Sequence, residues 1–259
     1  YSATGIVSAT KFCGDGSALT GISAGFSADA DLNLFASNTC SGCALDGSSG
    51  CFNIFVGACA GKAVTSGANN ISLGLNAGFT ATDSDYNINI GQCAGYSNNN
   101  DENIHIGREA AYCSTTGKRN TIVGSFAGKS ISTGCYNVIF GHAAGTYSGC
   151  FNTMTGSCNI IIGTTLGGGK ITSGCDNILM GCHAGLKLVS GNQNVYIGAG
   201  AGCCRTTSGK DVLIGWRANF ANATGGTQIS IGPQSGEYNC CGCNITIGSR
   251  AGYQDYIIT

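Results

Sequence analysis

The sequence is poor in charge, in proline and in long apolar runs, and each shortage closes off a class of protein. Of 259 residues only 12 are Lys or Arg and 13 Asp or Glu, for a formal net charge of −1. Charged residues make up 10% of the chain, far below the roughly 25% of an average soluble domain, so its surface is polar but largely neutral. Lys and Arg are scattered rather than clustered, and no stretch offers the counterion-releasing patch that binding to nucleic acid needs. Gly, Asn or Ser interrupts the chain every few positions, so no run approaches the roughly 18 to 20 apolar residues of a membrane-spanning helix, and membrane insertion is not expected. A single proline, Pro233, and the lack of a glycine at every third residue remove collagen and linker readings. The chain opens at Tyr1 with no initiator Met and no basic-then-apolar leader, as a processed product or a piece of something longer would.

What the chain has in quantity is glycine (44) and cysteine (17), and a repeat orders both. The phrase Asn-Ile-x-Ile-Gly-x-x-Ala-Gly recurs, as in Asn70-Ile-Ser-Leu-Gly-Leu-Asn-Ala-Gly78, Asn87-Ile-Asn-Ile-Gly-Gln-Cys-Ala-Gly95 and Asn244-Ile-Thr-Ile-Gly-Ser-Arg-Ala-Gly252. Its first position is occupied by Asn53, Asn70, Asn87, Asn103, Asn120, Asn137, Asn159, Asn177, Asn194, Asp211, Gln228 and Asn244, at spacings of 16 to 18 residues except for one of 22 between Asn137 and Asn159. Seventeen residues with two glycines and a turn are too few for a helical hairpin or a propeller blade. They suit one coil of a β-solenoid. The expected fold is all-β, a solenoid of about twelve to fourteen 17-residue coils over residues 31–259, with residues 1–30 as an N-terminal β connector or cap.

Within a coil, the apolar positions alternate with a variable one, as in a short strand with one buried face. On that rule Ile71 and Leu73 point inward and Ser72 outward, the following Gly turns the corner, and the small Ala packs inside at a second, narrower face. Thr/Ser-x-Gly segments such as Thr65-Ser-Gly67 and Thr115-Thr-Gly117 close each coil. Stacked coils place each repeat Asn over the next, where side-chain amides can form a continuous structural ladder; Asp211 and Gln228 take the same slot. Asn33-Leu-Phe-Ala-Ser37 resembles a first coil without its Gly, and Asn152-Thr-Met-Thr-Gly156 a degenerate anchor, either a shortened coil or part of a bulging loop.

Two resemblances attach to these residues. The Asn-Ile-x-Ile-Gly-x-x-Ala-Gly units over 53–252, with the segment Thr4 to Gly21, resemble the repeats and a connector of tail-fibre and related structural proteins of marine cyanophages. The unit is more distantly similar to the head repeats of trimeric autotransporter adhesins, whose coil is shorter and whose heads are not rich in Cys. The phage resemblance implies an extracellular or virion-associated fibre. It carries over no binding residue, because the shared motif is scaffold.

Other candidates are weaker. Cys40-Ser-Gly-Cys43 and Cys240-Cys-Gly-Cys243 have knuckle spacing for zinc, but they sit near opposite ends of a rod. Cys59 and Cys93 share a column two coils apart, too far to bridge, and read as small buried hydrophobes. Cys135 and Cys150 become neighbours able to form a disulfide only if Asn152 starts a real coil. His105, His142 and His183 fall on different coils and read as solvent-facing, and Cys182 and His183, as strand neighbours, should point to opposite faces. Three glycosylation sequons occur; Asn70 and Asn244 belong to the ladder, which leaves Asn222 as the acceptor of a glycan. No cofactor, metal or enzymatic activity is expected, since a chain with only 13 acids has few from which to build a catalytic pair. The expected partner is the chain itself. Head-to-tail stacking would use the β-prone ends, Tyr256, Ile257 and Ile258 against Ile6 and Val7. A parallel trimer would instead pack Ala-Gly faces or the aromatics Phe79, Tyr96, Tyr112 and Tyr253 between chains. Cell-surface glycans are the alternative partner, through rings such as Tyr136, Tyr147, Phe151 and Tyr196.

Overall fold

The computed structural model describes residues 27–36, 40–45, 50–146, 154–164, 171–221, 227–238 and 243–253. It is a β-solenoid. Its strands are β1 (Ser27–Ala28), β2 (Leu34–Phe35), β3 (Ile54–Val56), β4 (Ile71–Leu73), β5 (Ile88–Ile90), β6 (Ile104–Ile106), β7 (Thr121–Val123), β8 (Val138–Phe140), β9 (Ile160–Ile162), β10 (Ile178–Met180), β11 (Val195–Ile197), β12 (Val212–Ile214), β13 (Gln228–Ile231) and β14 (Asn244–Ile247). They form one sheet in sequence order, parallel from β2 to β14, and β1 alone runs antiparallel against β2. Among the described residues there is no helix. Backbone bonds link coil to coil well beyond the strands: Ile71 N donates to Asn87 O (2.8 Å), Gly74 N to Val56 O (2.8 Å), Asn76 N to Ala58 O (2.9 Å) and Thr80 N to Tyr96 O (3.0 Å). Turns and corners thereby satisfy their polar groups as a sheet does.

Each coil sends three side chains into a narrow core: the middle residue of the strand, the repeat Ala, and the residue three after the Ala-Gly. Phe55, Ala60 and Val64 are one such set, and Leu179, Ala184 and Leu188 another, all buried. This reverses the expected phase of the strand. Ser72 is buried while Ile71 and Leu73 stay partly exposed, and the same pattern holds along the rod. A three-residue strand that turns away at both ends has one inward direction, and the coil closes on the side of its Ala, so only the central side chain meets the core. The inversion also overturns the reading of His105, which is fully buried.

The 22-residue spacing is one coil with an insertion. Val138 pairs directly with Ile160, Met154 bridges Ile131 and lies buried in the third inward column, and Thr155 N bonds Thr172 O at 2.6 Å. Asn152 and Cys150, on which a Cys135–Cys150 bridge depends, lie outside the described residues. Cys135 is a free thiol, its Sγ directed at Thr133 O (3.4 Å).

Candidate functional site

The repeat Asn residues form a buried seam. From Asn53 to Gln228 the backbone N–H of each rung donates to the side-chain oxygen of the rung before it, as Asn70 does to Asn53 (2.9 Å), Asn120 to Asn103 (3.0 Å), Asn137 to Asn120 (2.9 Å) and Asn194 to Asn177 (3.1 Å); the Gln228 side-chain oxygen accepts nothing, so the ladder expected to reach Asn244 stops one coil short of it. The side-chain amide then donates to the turn carbonyl that closes its own coil, as Asn120 Nδ2 does to Gly134 O (2.9 Å) and Asn194 Nδ2 to Ser208 O (2.9 Å). Asn33 is a further rung, with its oxygen accepting from Asn53 N (2.8 Å) and Nδ2 (2.9 Å); its anchor-like sequence had signalled the coil. Beyond it the Asp29 carboxylate accepts from Asn33 N and Nδ2, both at 2.9 Å, and is the last group of the seam among the described residues.

Asp211 changes one rung. Its Oδ1 accepts from Gln228 N (2.8 Å), as an Asn oxygen would, but its Oδ2 cannot donate as an amide does. Three groups donate to it or flank it instead: Arg205 Nη2 (2.7 Å), Arg205 Nε (3.0 Å) and the Tyr196 hydroxyl (3.0 Å). Arg205 and Asp211 are both fully buried. Burial, with the neighbouring Asp211 charge, pushes the Tyr196 phenol well above its ordinary range. Arg205 takes the third inward column, where Leu188 lies one coil earlier, so an ion pair replaces an apolar layer and is lodged where no substrate reaches it.

On the surface, Phe79, Tyr96 and Tyr112 stack on one another, with centroids 4.9 and 4.8 Å apart, and Lys62 and Lys129 sit over the two ends of the stack. Ring faces that meet one another are not free to pack between chains or on a sugar. Cys59 and Cys93 lie partly exposed in a left-handed turn column (φ +58° and +55°), not buried as expected. Cys40 and Cys43 are joined by a disulfide, which removes them as zinc ligands. Among the described residues no group of His, Cys, Asp and Glu is arranged to hold a metal ion, and no helix is long and apolar enough to cross a membrane.

One cleft stands out, of about 340 Å³, lined by Cys182, His183, Ala199, Gly200, Trp216, Arg217 and Phe220. Cys182 and His183 face it together, because they lie in the turn after β10 rather than on a strand. The cleft exists because Ala199 and Gly200 leave a column empty for one coil between Cys182-His183 and Trp216-Arg217. Trp216 is 51% exposed, and Arg217 lies over both Phe220 (4.3 Å) and Trp216 (5.4 Å) while pairing with the buried Glu237 at 2.5 Å. The sequence reading missed this site, although the chain's one Trp beside an Ala-Gly gap was a usable signal. Ile6, Val7, Tyr256, Ile257, Ile258, Cys150 and Asn222 lie outside the described residues, as do Tyr147, Phe151, Cys240 and Cys241. No family model matches the chain, and no curated protein or solved structure is significantly similar to it.

Proposed function

We propose that this protein is a structural subunit of an extracellular or virion fibre, a rod that assembles with copies of itself through its ends. The observation that carries this reading is the unbroken seam from Asn33 to Gln228, which makes every coil depend on the next along a single axis. At ~4.8 Å per coil, the eleven spacings from Asn53 to Asn244 span ~53 Å. The two ends differ. Among the described residues β1, antiparallel to β2, and Asp29 lie at one end of the sheet, and β14, whose Ile245 and Ile247 are 70% and 67% exposed, lies at the other. An exposed sheet edge is a template for further pairing, and unlike ends give heterologous contacts and open filaments. The ionisable groups sealed in the core, His105, Arg205 and Asp211, further support a scaffold rather than an enzyme. Electron microscopy of the purified protein, with its mass in solution, tests the proposal. Filaments with an axial repeat near one subunit length are expected; rods of monomer length at every concentration would refute end-on assembly.

The Trp216 cleft favours a second reading, a glycan-binding fibre segment. Two coil steps, ~9.6 Å, separate its walls, which leaves room for one pyranose ring against Trp216 at the spacing of the Phe79–Tyr96–Tyr112 stack. Because Trp216 is the only tryptophan, sugar titrations that shift its fluorescence would report this site alone, and silence across neutral and acidic sugars would dismiss the reading.

A further inference from the structure

The inverted strands leave an apolar face that the coil does not cover. The outward positions of β3 to β14 form two columns of twelve, running from Ile54 and Val56 to Ile245 and Ile247. Thr121 is the one polar side chain among them, none is charged, and none is fully buried. Solvent-facing sheet positions are ordinarily polar, so a strip of Ile, Val, Leu, Met and Phe along a whole rod calls for a partner. We infer that this face packs against the same face of a second copy, so that rods associate side by side as well as end to end.

Three features favour a second copy over other occupants. The first is area. Eleven steps of ~4.8 Å by a width of ~10 Å give ~500 to 600 Å² per copy, or a little over ~1,000 Å² for a pair, just above the floor that a specific interface between proteins clears. The second is periodicity, since side chains that repeat every ~4.8 Å over twelve coils interdigitate throughout only with a surface of the same repeat, and sheets held by side-chain ladders are flat enough to meet along their length. The third is the rim. Glu102 and Arg119, each immediately before a ladder Asn, pair with each other at 2.8 Å, and Arg119 also donates to the Tyr136 hydroxyl at 2.6 Å. An apolar centre beside a self-satisfied polar margin is the anatomy of a protein interface, whereas a lipid surface would favour flanking Lys and Arg.

This inference deepens the fibre reading and rests on it only for the end-on contacts. Phe140 and Ile162 are 39% and 38% exposed in one copy, so Phe140→Lys with Ile162→Lys leaves the core intact. Thr116→Lys, on an exposed turn, is the control. Mass per unit length by scanning transmission electron microscopy, with solution mass by sedimentation, separates the two kinds of contact. Wild type and T116K should show at least twice the mass per length of one 26.0 kDa rod, and the double variant should fall to the single-rod value with its circular dichroism unchanged. A wild-type rod of single thickness, or a double variant that keeps the wild-type mass per length, would overturn the inference. Either result could coexist with end-on filaments. Loss of filaments with paired rods retained would instead remove the end-on reading alone.

Discussion

A carboxylate in place of a ladder amide changes the hydrogen-bond arithmetic of one coil. Asn at this position gives two protons and accepts others; Asp211 only accepts, and Arg205 and Tyr196 supply what is missing. Asp211→Asn would restore the ladder's usual chemistry yet strand a buried guanidinium, which costs about 3 to 5 kcal/mol. Adding Arg205→Leu, the residue that Leu188 supplies one coil earlier, should recover most of that loss. Urea-unfolding midpoints of the two variants check this, and a neutral Asp211→Asn would contradict it. His105 gives a second residue-scale prediction. Its Nδ1 lies 2.9 Å from Asn89 Oδ1, its Nε2 is buried without a partner, and burial pushes its pKa down to about 3. The unfolded chain takes up that proton near its ordinary pKa of about 6.5. The imidazole's contribution to stability is therefore complete above pH ~6.5 and is lost on descending towards pH 3, at about 1.4 kcal/mol per pH unit. The stability of His105→Leu, followed by thermal melts between pH 7 and 4, should fall less steeply than that of the wild type.

At the scale of the element, each coil is a three-residue strand, a glycine corner and a turn. The corner glycines stack backbone on backbone. A Cβ on Gly91, at φ +128°, would meet the Gly107 carbonyl oxygen at 2.6 Å and carbon at 2.7 Å. Gly91→Ala should therefore cost at least ~2 kcal/mol, measured as a drop in denaturant midpoint, and an unchanged midpoint would show that the coils are not held at this spacing. The period, the ladder and the corners were legible because stacking imposes one residue type per column. The phase of the strand was not. Alternation shows that a strand has two faces but not which is inside, and the outer face here is itself apolar. The distinguishing signal lay nine residues away, where the inward partner of several middle residues matches them in polarity, as Asn98 does Asn89, Ser114 does His105, Ile131 does Ile122 and Leu188 does Leu179, though Ala81 does not match Ser72. Met154 against Ile139 keeps this match across the long spacing, where β8 pairs directly with β9. The cleft escaped notice because it is made by missing side chains, Ala199 and Gly200, set between larger ones on neighbouring coils.

Across the whole molecule, the core falls into blocks. An apolar layer around Phe55 gives way to a polar one at Ser72, Asn89 and His105, then to a long apolar run from Ile122 to Leu213 interrupted by the Arg205–Asp211 layer. Polar layers favour one register, since a slip of one coil would set Asn89 or Arg205 against Ile or Leu and leave it unsatisfied. Stability in such a rod is a sum over neighbouring coils, and the seam makes those neighbours continuous along one axis. The most direct test of this account is cryo-electron microscopy of the intact protein, with the power spectrum taken along the particle's long axis. The account predicts an elongated particle with a layer line near 4.8 Å on that axis. Compact particles, or rods whose ~4.8 Å spacing runs across the long axis, would contradict it.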